Sequence, residues 1–302
     1  MGRTRVKIHA VEYLSLESVT AALENVHTVV SVTSAVDGTQ AQVQINLLNA
    51  AVRAGCKRFA PSQWGFGPLG WTNVTILKMA NTGVWEECLK HKEVIESAKF
   101  NQGSFMNYIG HGIYSNPTNF EKNVTVEQMR AGGGYAPGED EACQGLLRQG
   151  DLSDNSGGFL IGLKNAIAEL PVKGDGSWPR ISMTSMKDVG QFVAESLELP
   201  KWEENMSMAG DTITMGELLG HAEEVTGKKF HVDVLEQARL EKKLSELAKN
   251  DVMGQLWTEF KLAYIRDRDD EVVLEPVVNR LCPWVKPMGV RQYMETFWTG
   301  FD

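Results

Sequence analysis

Two features of the sequence predict an α/β protein built on a doubly wound parallel sheet. The segment from Val26 to Thr33 is rich in β-branched residues and apolar on both faces, which is typical of a parallel strand covered by helices on both sides. A helix-like segment from Gln40 to Ala54 follows it, and a second short strand runs from Arg58 into Pro61. Strand–helix units in succession imply right-handed crossovers within one sheet.

Further elements follow from local patterns along the chain. Val6 to Val11 alternates like a short strand, Ser15 is placed to cap a helix from Leu16 to Glu24, and Gly55 stands where a helix would end. The later predictions are a helix from Gly83 to Ser97, a strand from Ala98 to Phe105, a strand at Ile181–Met183, a helix from about Met186 to Leu199, a helix between Thr214 and Gly227, and a helix from Val234 to Lys249.

Composition limits the classes of function. The chain has 302 residues, of which 42% are apolar, so it can bury a sizeable core. Its net charge of -9 argues against nucleic acid or an anionic membrane as the main partner. No membrane span and no signal peptide are expected, which predicts a cytoplasmic protein. The four cysteines are too irregularly spaced to predict a zinc site or a disulfide framework, and no metal site is expected.

Residues Gly65 to Gly70 match the pattern G-x-G-x-x-G, but we do not expect them to bind phosphate. A phosphate-binding loop joins a strand directly to the start of a helix, whose backbone N–H groups hold the anion. Pro68 removes one of these N–H groups, and the residues from Trp71 to Thr75 are poor helix starters. The match is therefore interpreted as a loop that resembles the motif by chance.

Other catalytic patterns are weak. None of the six tyrosines has a lysine four positions later, so tyrosine-based hydride chemistry is not expected. His111 follows a predicted strand end, where it is either a hydrogen-bonded structural residue or a group facing a site. The stretch from 115 to 160 is rich in glycine, asparagine and acidic residues, which predicts an insertion that covers a site or a mobile loop.

Several segments in order resemble the NmrA-like and isoflavone-reductase-like family of atypical short-chain dehydrogenases, in its fungal secondary-metabolism form. Val29–Thr33 resembles the fourth strand of that family. The other matching segments are Gln44–Gly67, which includes P-S-Q-W-G, Phe100–Tyr108 with G-S-F-M-N-Y, Ile181–Gly190, Gly210–Phe230 and Pro283–Trp298. The likeness covers nearly the whole chain, and its specificity lies in the order of the segments.

The resemblance implies an oxidoreductase, with NADP as cofactor, that reduces a carbonyl or conjugated alkene. It divides the chain into a partial dinucleotide-binding Rossmann-like core at 1–114 and a substrate-binding lobe with returning core elements at 115–302. A small molecule like a polyketide or phenylpropanoid is the implied substrate. The implied cofactor-binding residues stand at the carboxyl ends of strands, where open α/β sheets bind ligands: Thr33, Ser34, Ser62, Gln63, Trp64, Ser104, Phe105, Met106 and Asn107.

The sequence departs from the family pattern at two places. The family opens with strand, G-x-x-G-x-x-G, helix and strand, whereas this sequence begins near the third strand. The fold expected is therefore a Rossmann-like sheet missing its first strand–helix–strand unit, with Val29–Thr33 at an exposed edge that invites self-association. Family reductases also use a lysine near the substrate, and Lys92 fits that local pattern better than Lys78 or Lys90. Lys92 is either this catalytic group or an exposed helix lysine.

The missing glycine loop leaves two alternatives to a reductase. The first is a cofactor-independent isomerase, dehydratase or cyclase on the same scaffold. The second is a non-catalytic regulator that senses NADP.

Overall fold

The computed structural model describes residues 7–35, 37–109, 151–153 and 158–299, in which helices and strands alternate. The helices are α1 Leu16–Ala22, α2 Gln40–Ala54, α3 Thr75–Asn81, α4 Val84–Lys90, α5 Met186–Ser196, α6 Met215–Thr226, α7 Gln237–Glu246, α8 Val252–Arg266, α9 Val277–Leu281 and α10 Val290–Trp298. The strands are β1 Thr28–Val30, β2 Arg58–Ala60, β3 Glu96–Ser97, β4 Lys99–Asn101, β5 Ser104–Phe105, β6 Ile161–Gly162, β7 Ile167–Pro171, β8 Arg180–Thr184, β9 Asn205–Ser207, β10 Asp211–Thr214 and β11 His231–Leu235.

Parallel pairing dominates the region that carries the predicted strands. β1, β2 and β3 form one parallel set in that order, and β4 continues from β3 to pair in parallel with β9. β5 then pairs in parallel with β8, which pairs antiparallel with β10. The protein is therefore a mixed α/β fold with parallel strands, as the sequence predicts. A separate sheet in the order β11–β7–β6 belongs to the later part of the chain.

Helix α2 has the bounds that the sequence predicts, because its signals are local. Leu47, Leu48 and Ala51 lie on one face and are buried against β1 and β2. Gly55 ends the helix with a φ of 79°, in the left-handed region that glycine adopts without steric cost. The predicted N-cap Ser15 accepts a hydrogen bond from the first turn of α1, and Thr214, which precedes the later predicted helix, accepts one from the first turn of α6.

Several predicted elements differ from the structure. No strand forms at 7–11, the described part of the alternating segment. The helix predicted from Gly83 to Ser97 ends at Lys90, because the Glu96 N–H bonds to the Lys57 carbonyl and the chain enters the sheet. Val234 lies in β11, not in a helix, because five consecutive residues of β11 pair with β7. Tertiary pairing thus overrides the local helix pattern in both places.

The proposed division of the chain at 114 and 115 remains a prediction. Strands from both ranges share sheets, since β4 pairs with β9 and β5 pairs with β8. His111 and most of the stretch 115–160 lie outside the described residues. Within the described ranges, no helix is long and apolar enough to cross a membrane.

Candidate functional site

The loops after β1 and β2 are joined at the carboxyl ends of these strands. The Ser62 hydroxyl donates to the Thr33 carbonyl over 2.9 Å, and the Trp64 indole N–H donates to the Ser31 carbonyl over 2.8 Å. Ser34 follows Thr33 and is exposed at the same end. The structure therefore brings together Thr33, Ser34, Ser62 and Trp64, as predicted for one edge of the sheet.

The first turns of α2 fix the positions of both loops. The Gln40 carboxamide donates to the Thr33 carbonyl and accepts from the Ala35 N–H, over 2.7 and 2.8 Å. One turn later, the fully buried Gln44 accepts from the Ser62 N–H over 2.5 Å. Two glutamines spaced by four residues lie on one face of the helix, and they hold the two loops in one geometry.

A break between β4 and β5 brings the next predicted segment to the same edge. The Gly65 N–H donates to the Gln102 side chain over 2.7 Å, and the Gly65 carbonyl accepts from the N–H groups of Gln102 and Gly103. Gly103 has a φ of 68°, and a Cβ there would lie 2.2 Å from the Ser182 carbonyl oxygen. Only glycine fits this turn, which directs Ser104 and Phe105 along β8.

The residues from Ser104 to Asn107 differ in what they offer a ligand. The Ser104 hydroxyl bonds to the Tyr264 hydroxyl over 2.5 Å, and burial raises the pKa of Tyr264, so that this phenol stays protonated. Met106 is fully buried in the core. Asn107 accepts from the Met186 N–H over 3.0 Å at the start of α5. Phe105 is half-buried and lies beside the Tyr108 ring.

Gln63 stands out at this edge. Only 3% of the residue is exposed, and among the described residues neither its amide nitrogen nor its amide oxygen has a hydrogen-bond partner. Its backbone N–H donates to the Pro61 carbonyl, so the turn around Ser62 is fixed while the side chain is unpaired. Buried polar atoms are nearly always hydrogen-bonded in folded proteins, so an unpaired carboxamide requires an explanation.

The structure does not bring Lys92 to this edge. Lys92 is exposed in the turn after α4, where the chain approaches the amino end of β3. Glu96, four residues after Lys92, donates its N–H to the carbonyl of Lys57, which lies five residues before Ser62, or roughly 16 Å along a strand. The structure therefore does not place Lys92 beside the predicted cofactor-binding residues, because α4 ends at Lys90 and Lys92 lies before the chain enters the sheet.

Lys92 instead lines a shallow surface cavity of about 450 Å³ with Trp85, Cys88 and Trp202. Burial raises the pKa of the Cys88 thiol to about 11, so this cysteine is a protonated thiol at neutral pH. The cavity consequently holds no activated cysteine nucleophile.

The loop from Gly65 to Gly70 does not form a phosphate cradle, which confirms the prediction. The N–H groups of Gly65, Gly67 and Gly70 donate to acceptors within the protein, namely Gln102, Glu271 and Gly67. A Cβ on Gly67 would lie 2.4 Å from the Asp270 carbonyl oxygen. Gly67 is therefore needed for close packing against the loop before α9.

Two lysines that sequence reasoning did not select have notable positions. Lys187 is exposed in the first turn of α5, next to Met186, whose N–H binds Asn107. A cation in this turn is opposed by the helix dipole, which is a position where lysine is unfavourable. The position of β8 against β5, which places Lys187 here, is not readable from local sequence.

Lys261 is the second of these lysines and is fully buried in α8. Its ammonium lies 2.9 Å from the Asp151 carboxylate and 3.1 Å from the Glu169 carboxylate. Burial acts to raise the pKa of Glu169, but Lys261 and the Ser153 N–H together hold it below its usual value. A sequence signal existed, since Lys261 interrupts the apolar run from Phe260 to Ile265. In the described part of the chain, no group of three or more His, Cys, Asp or Glu side chains could hold a metal ion.

Comparison with known proteins supports the fold. No protein-family profile matches the sequence. Oxidoreductase BOA1 of Botryotinia fuckeliana is 26% identical over 234 residues, which cover 76% of this chain and 64% of that protein. The chain thus spans less than two thirds of the length of this curated relative.

Two solved structures share the architecture. AtPrR2 with NADP+ and (+)-pinoresinol has a TM-score of 0.61 and 18% identity, covering 94% of this chain and 80% of that chain. A crystal structure of isoflavone reductase has a TM-score of 0.61 and 12% identity, covering 95% and 80%. The chain therefore has the Rossmann-like fold of NAD(P)-binding reductases. The resemblance to isoflavone-reductase-like proteins is confirmed for the fold.

Proposed function

We propose that this protein is an NADP(H)-dependent oxidoreductase that reduces a carbonyl or a conjugated alkene. The observation that carries the proposal is the set of polar residues joined at the carboxyl ends of β1, β2 and β5. Open α/β sheets bind ligands at this edge. The similar AtPrR2 structure contains NADP+ and a small phenolic molecule, which supports both the cofactor and the kind of substrate.

The residues present fit the nicotinamide side of the cofactor. Ser34 offers an exposed hydroxyl, and Gln63 offers a buried carboxamide that has no hydrogen-bond partner in the described part of the chain. Bound NADPH would supply a hydride to the substrate carbon. We assign the contacts to Thr33, Ser34, Ser62, Gln63, Trp64, Ser104, Phe105 and Asn107, with Met106 contributing backbone only because its side chain is in the core. Among the described residues, no glycine-rich connection leads from a strand into a helix, so we assign no pyrophosphate contacts.

Lys187 is our candidate for the group that orients or supplies the proton. It lies at the carboxyl edge, and no described carboxylate forms an ion pair with it. Its position beside the Asn107–Met186 hydrogen bond places it next to the strand end that carries Phe105. A free ammonium there can donate to a developing oxyanion or hold the water that does so.

Two matched variants test this assignment. Lys187→Ala is expected to lower kcat at least tenfold toward an NADPH-reducible ketone or enone, and to leave the melting temperature unchanged or slightly higher, because an unfavourable cation leaves the first turn. Lys92→Ala makes the same chemical change at the opposite edge, and it is expected to leave turnover unchanged. Loss of turnover with Lys92→Ala but not with Lys187→Ala would reverse the assignment.

The finer parts of the proposal concern context. We propose a role in fungal secondary metabolism, in the cytoplasm, with a substrate of polyketide or phenylpropanoid type. The relative from Botryotinia fuckeliana supports a fungal setting, and bound pinoresinol in AtPrR2 supports an aromatic substrate. We also propose self-association through β1, beside which Val32 is 75% exposed.

A further inference from the structure

The Gln63 carboxamide is buried and has no hydrogen-bond partner among the residues that the structure describes, whereas the side chains of the flanking residues Ser62 and Trp64 are both hydrogen-bonded. The flanking Ser62 and Trp64 side chains donate to carbonyls of the β1 segment, and the Ser62 N–H is taken by Gln44. Within the described ranges, neither polar atom of the Gln63 side chain has a hydrogen-bond partner. Leaving such a group buried without a partner costs more free energy than an ordinary hydrogen bond contributes.

A structural role would be served better by an apolar side chain. Methionine has nearly the same length and would fill the same space without unsatisfied polar atoms. The loop that carries Gln63 is held by three other side chains, so its conformation does not depend on the carboxamide. The unpaired amide therefore points to a ligand that completes its hydrogen bonds.

The chemistry of a carboxamide defines what that ligand must carry. The nitrogen donates and the oxygen accepts, and the two atoms lie side by side in one plane. The complementary group presents one acceptor beside one donor, as another carboxamide or a hydroxy-ketone does. We propose that Gln63 is a positioning residue that binds such a paired donor–acceptor edge, and this rests on the proposed function.

Two ligands of the proposed reaction carry this edge. The first is the carboxamide of the nicotinamide ring, whose orientation decides which face of the ring is presented to the substrate. The second is a hydroxy-ketone edge of the substrate itself. In either case, Gln63 would fix the angle between the hydride donor and the carbon that receives it.

The first experiment uses the ligand-free protein. Gln63→Met is expected to raise the melting temperature or leave it unchanged, because it removes two unsatisfied buried atoms. Gln42→Met, on the exposed face of α2, is the matched control and should leave the melting temperature unchanged. A melting temperature that falls by several degrees in Gln63→Met alone would show that the amide is satisfied within the fold, and would overturn the inference.

The second experiment measures ligand affinity. Gln63→Met is expected to weaken NADPH binding at least about tenfold and to leave 2′,5′-ADP, which lacks nicotinamide, unaffected. The 3-acetylpyridine analogue of NADP keeps the oxygen and loses the amino group. The wild-type protein should therefore bind NADP more tightly than this analogue, whereas Gln63→Met should bind the two with similar affinity.

The outcomes distinguish the nicotinamide from the substrate as the ligand of Gln63. They also distinguish a failure of this inference from a failure of the proposed function. Unchanged NADPH affinity with a KM for the substrate raised at least about tenfold would assign the edge to the substrate. If NADPH affinity and substrate KM both stay within twofold of the wild type, the inference fails while the proposed function stands. If the wild type itself does not bind NADPH, the proposed function fails, and the melting temperature of Gln63→Met still decides whether the amide is a structural group.

Discussion

Lys261 gives the most quantitative test of the packing, because its side chain is only 1% exposed and holds two carboxylates. Replacing it by methionine keeps much of the volume and removes the cation. Asp151 and Glu169 then lose their buried counter-charge, and the partly exposed Lys243, 3.9 Å from Asp151, does not replace it. Removing one partner of a buried ion pair costs about 3–5 kcal/mol, and we expect Lys261→Met to lower the free energy of unfolding by that amount at pH 7.

The assay is urea unfolding followed by tryptophan fluorescence, with a matched control. Lys243 also faces Asp151, over 3.9 Å, but 45% of its side chain is exposed. Lys243→Met should therefore change the free energy of unfolding by less than about 1 kcal/mol, as is usual for solvent-exposed pairs. A Lys261→Met protein within about 1 kcal/mol of the wild type would refute the view that this lysine neutralises the buried site.

The stability that the ion pair between Lys261 and Glu169 contributes should depend on pH, and the sign of this dependence follows from the pKa of Glu169. The pKa of Glu169 is lowered in the folded protein, so the folded state binds fewer protons than the unfolded state around that pKa. Its contribution to stability is present above the unfolded pKa of about 4.3 and is lost as the pH falls through the folded value. The difference in the free energy of unfolding between the wild type and Lys261→Met should therefore become smaller as the pH falls. A difference that is constant from pH 7 to pH 3 would contradict the stabilisation of the Glu169 carboxylate by Lys261.

The remaining predictions concern the turn between β4 and β5 and the sheet edge. Gly103→Ala should lower the free energy of unfolding by at least about 2 kcal/mol, because this position combines a positive φ with a clash. Gly38 also has a positive φ but has open space around it, so Gly38→Ala should lower the free energy of unfolding by less. Urea unfolding compares the two variants, and equal losses of stability would contradict the predicted clash at Gly103. Val32→Lys should reduce self-association in sedimentation velocity by placing a charge beside β1, and an unchanged distribution would remove this edge from the interface.

The elements that the sequence predicts well carry their own signals. Helix α2 has an apolar stripe and a C-terminal glycine, and α6 has a capping threonine and Gly227 at its end, so local chemistry sets both ends. The segment around Val234 has a helix-like pattern but joins β11, because pairing with β7 is decided by residues more than 60 positions earlier. Patterns within one segment do not contain that information.

The candidate site likewise contains residues that the sequence predicts and residues that it does not predict. Thr33, Ser62 and Ser104 were predictable, because residues that follow parallel strands meet at one edge of a sheet. The sequence did not predict the position of Lys92, because this position depends on where α4 ends and where the chain enters the sheet. The unpaired state of Gln63 and the burial of Lys261 are properties of the assembled fold and appear only when the surrounding segments are in place.

The central claim is that the carboxyl edge of this sheet binds NADP(H), and a titration tests it most directly. The protein would be titrated with NADPH while the nicotinamide fluorescence is followed, with NADH in parallel. We expect saturable binding of NADPH and its oxidation when a suitable ketone or enone is added. No binding at millimolar NADPH would contradict the claim, and binding without turnover across a panel of ketones and enones would favour an NADP-sensing regulator.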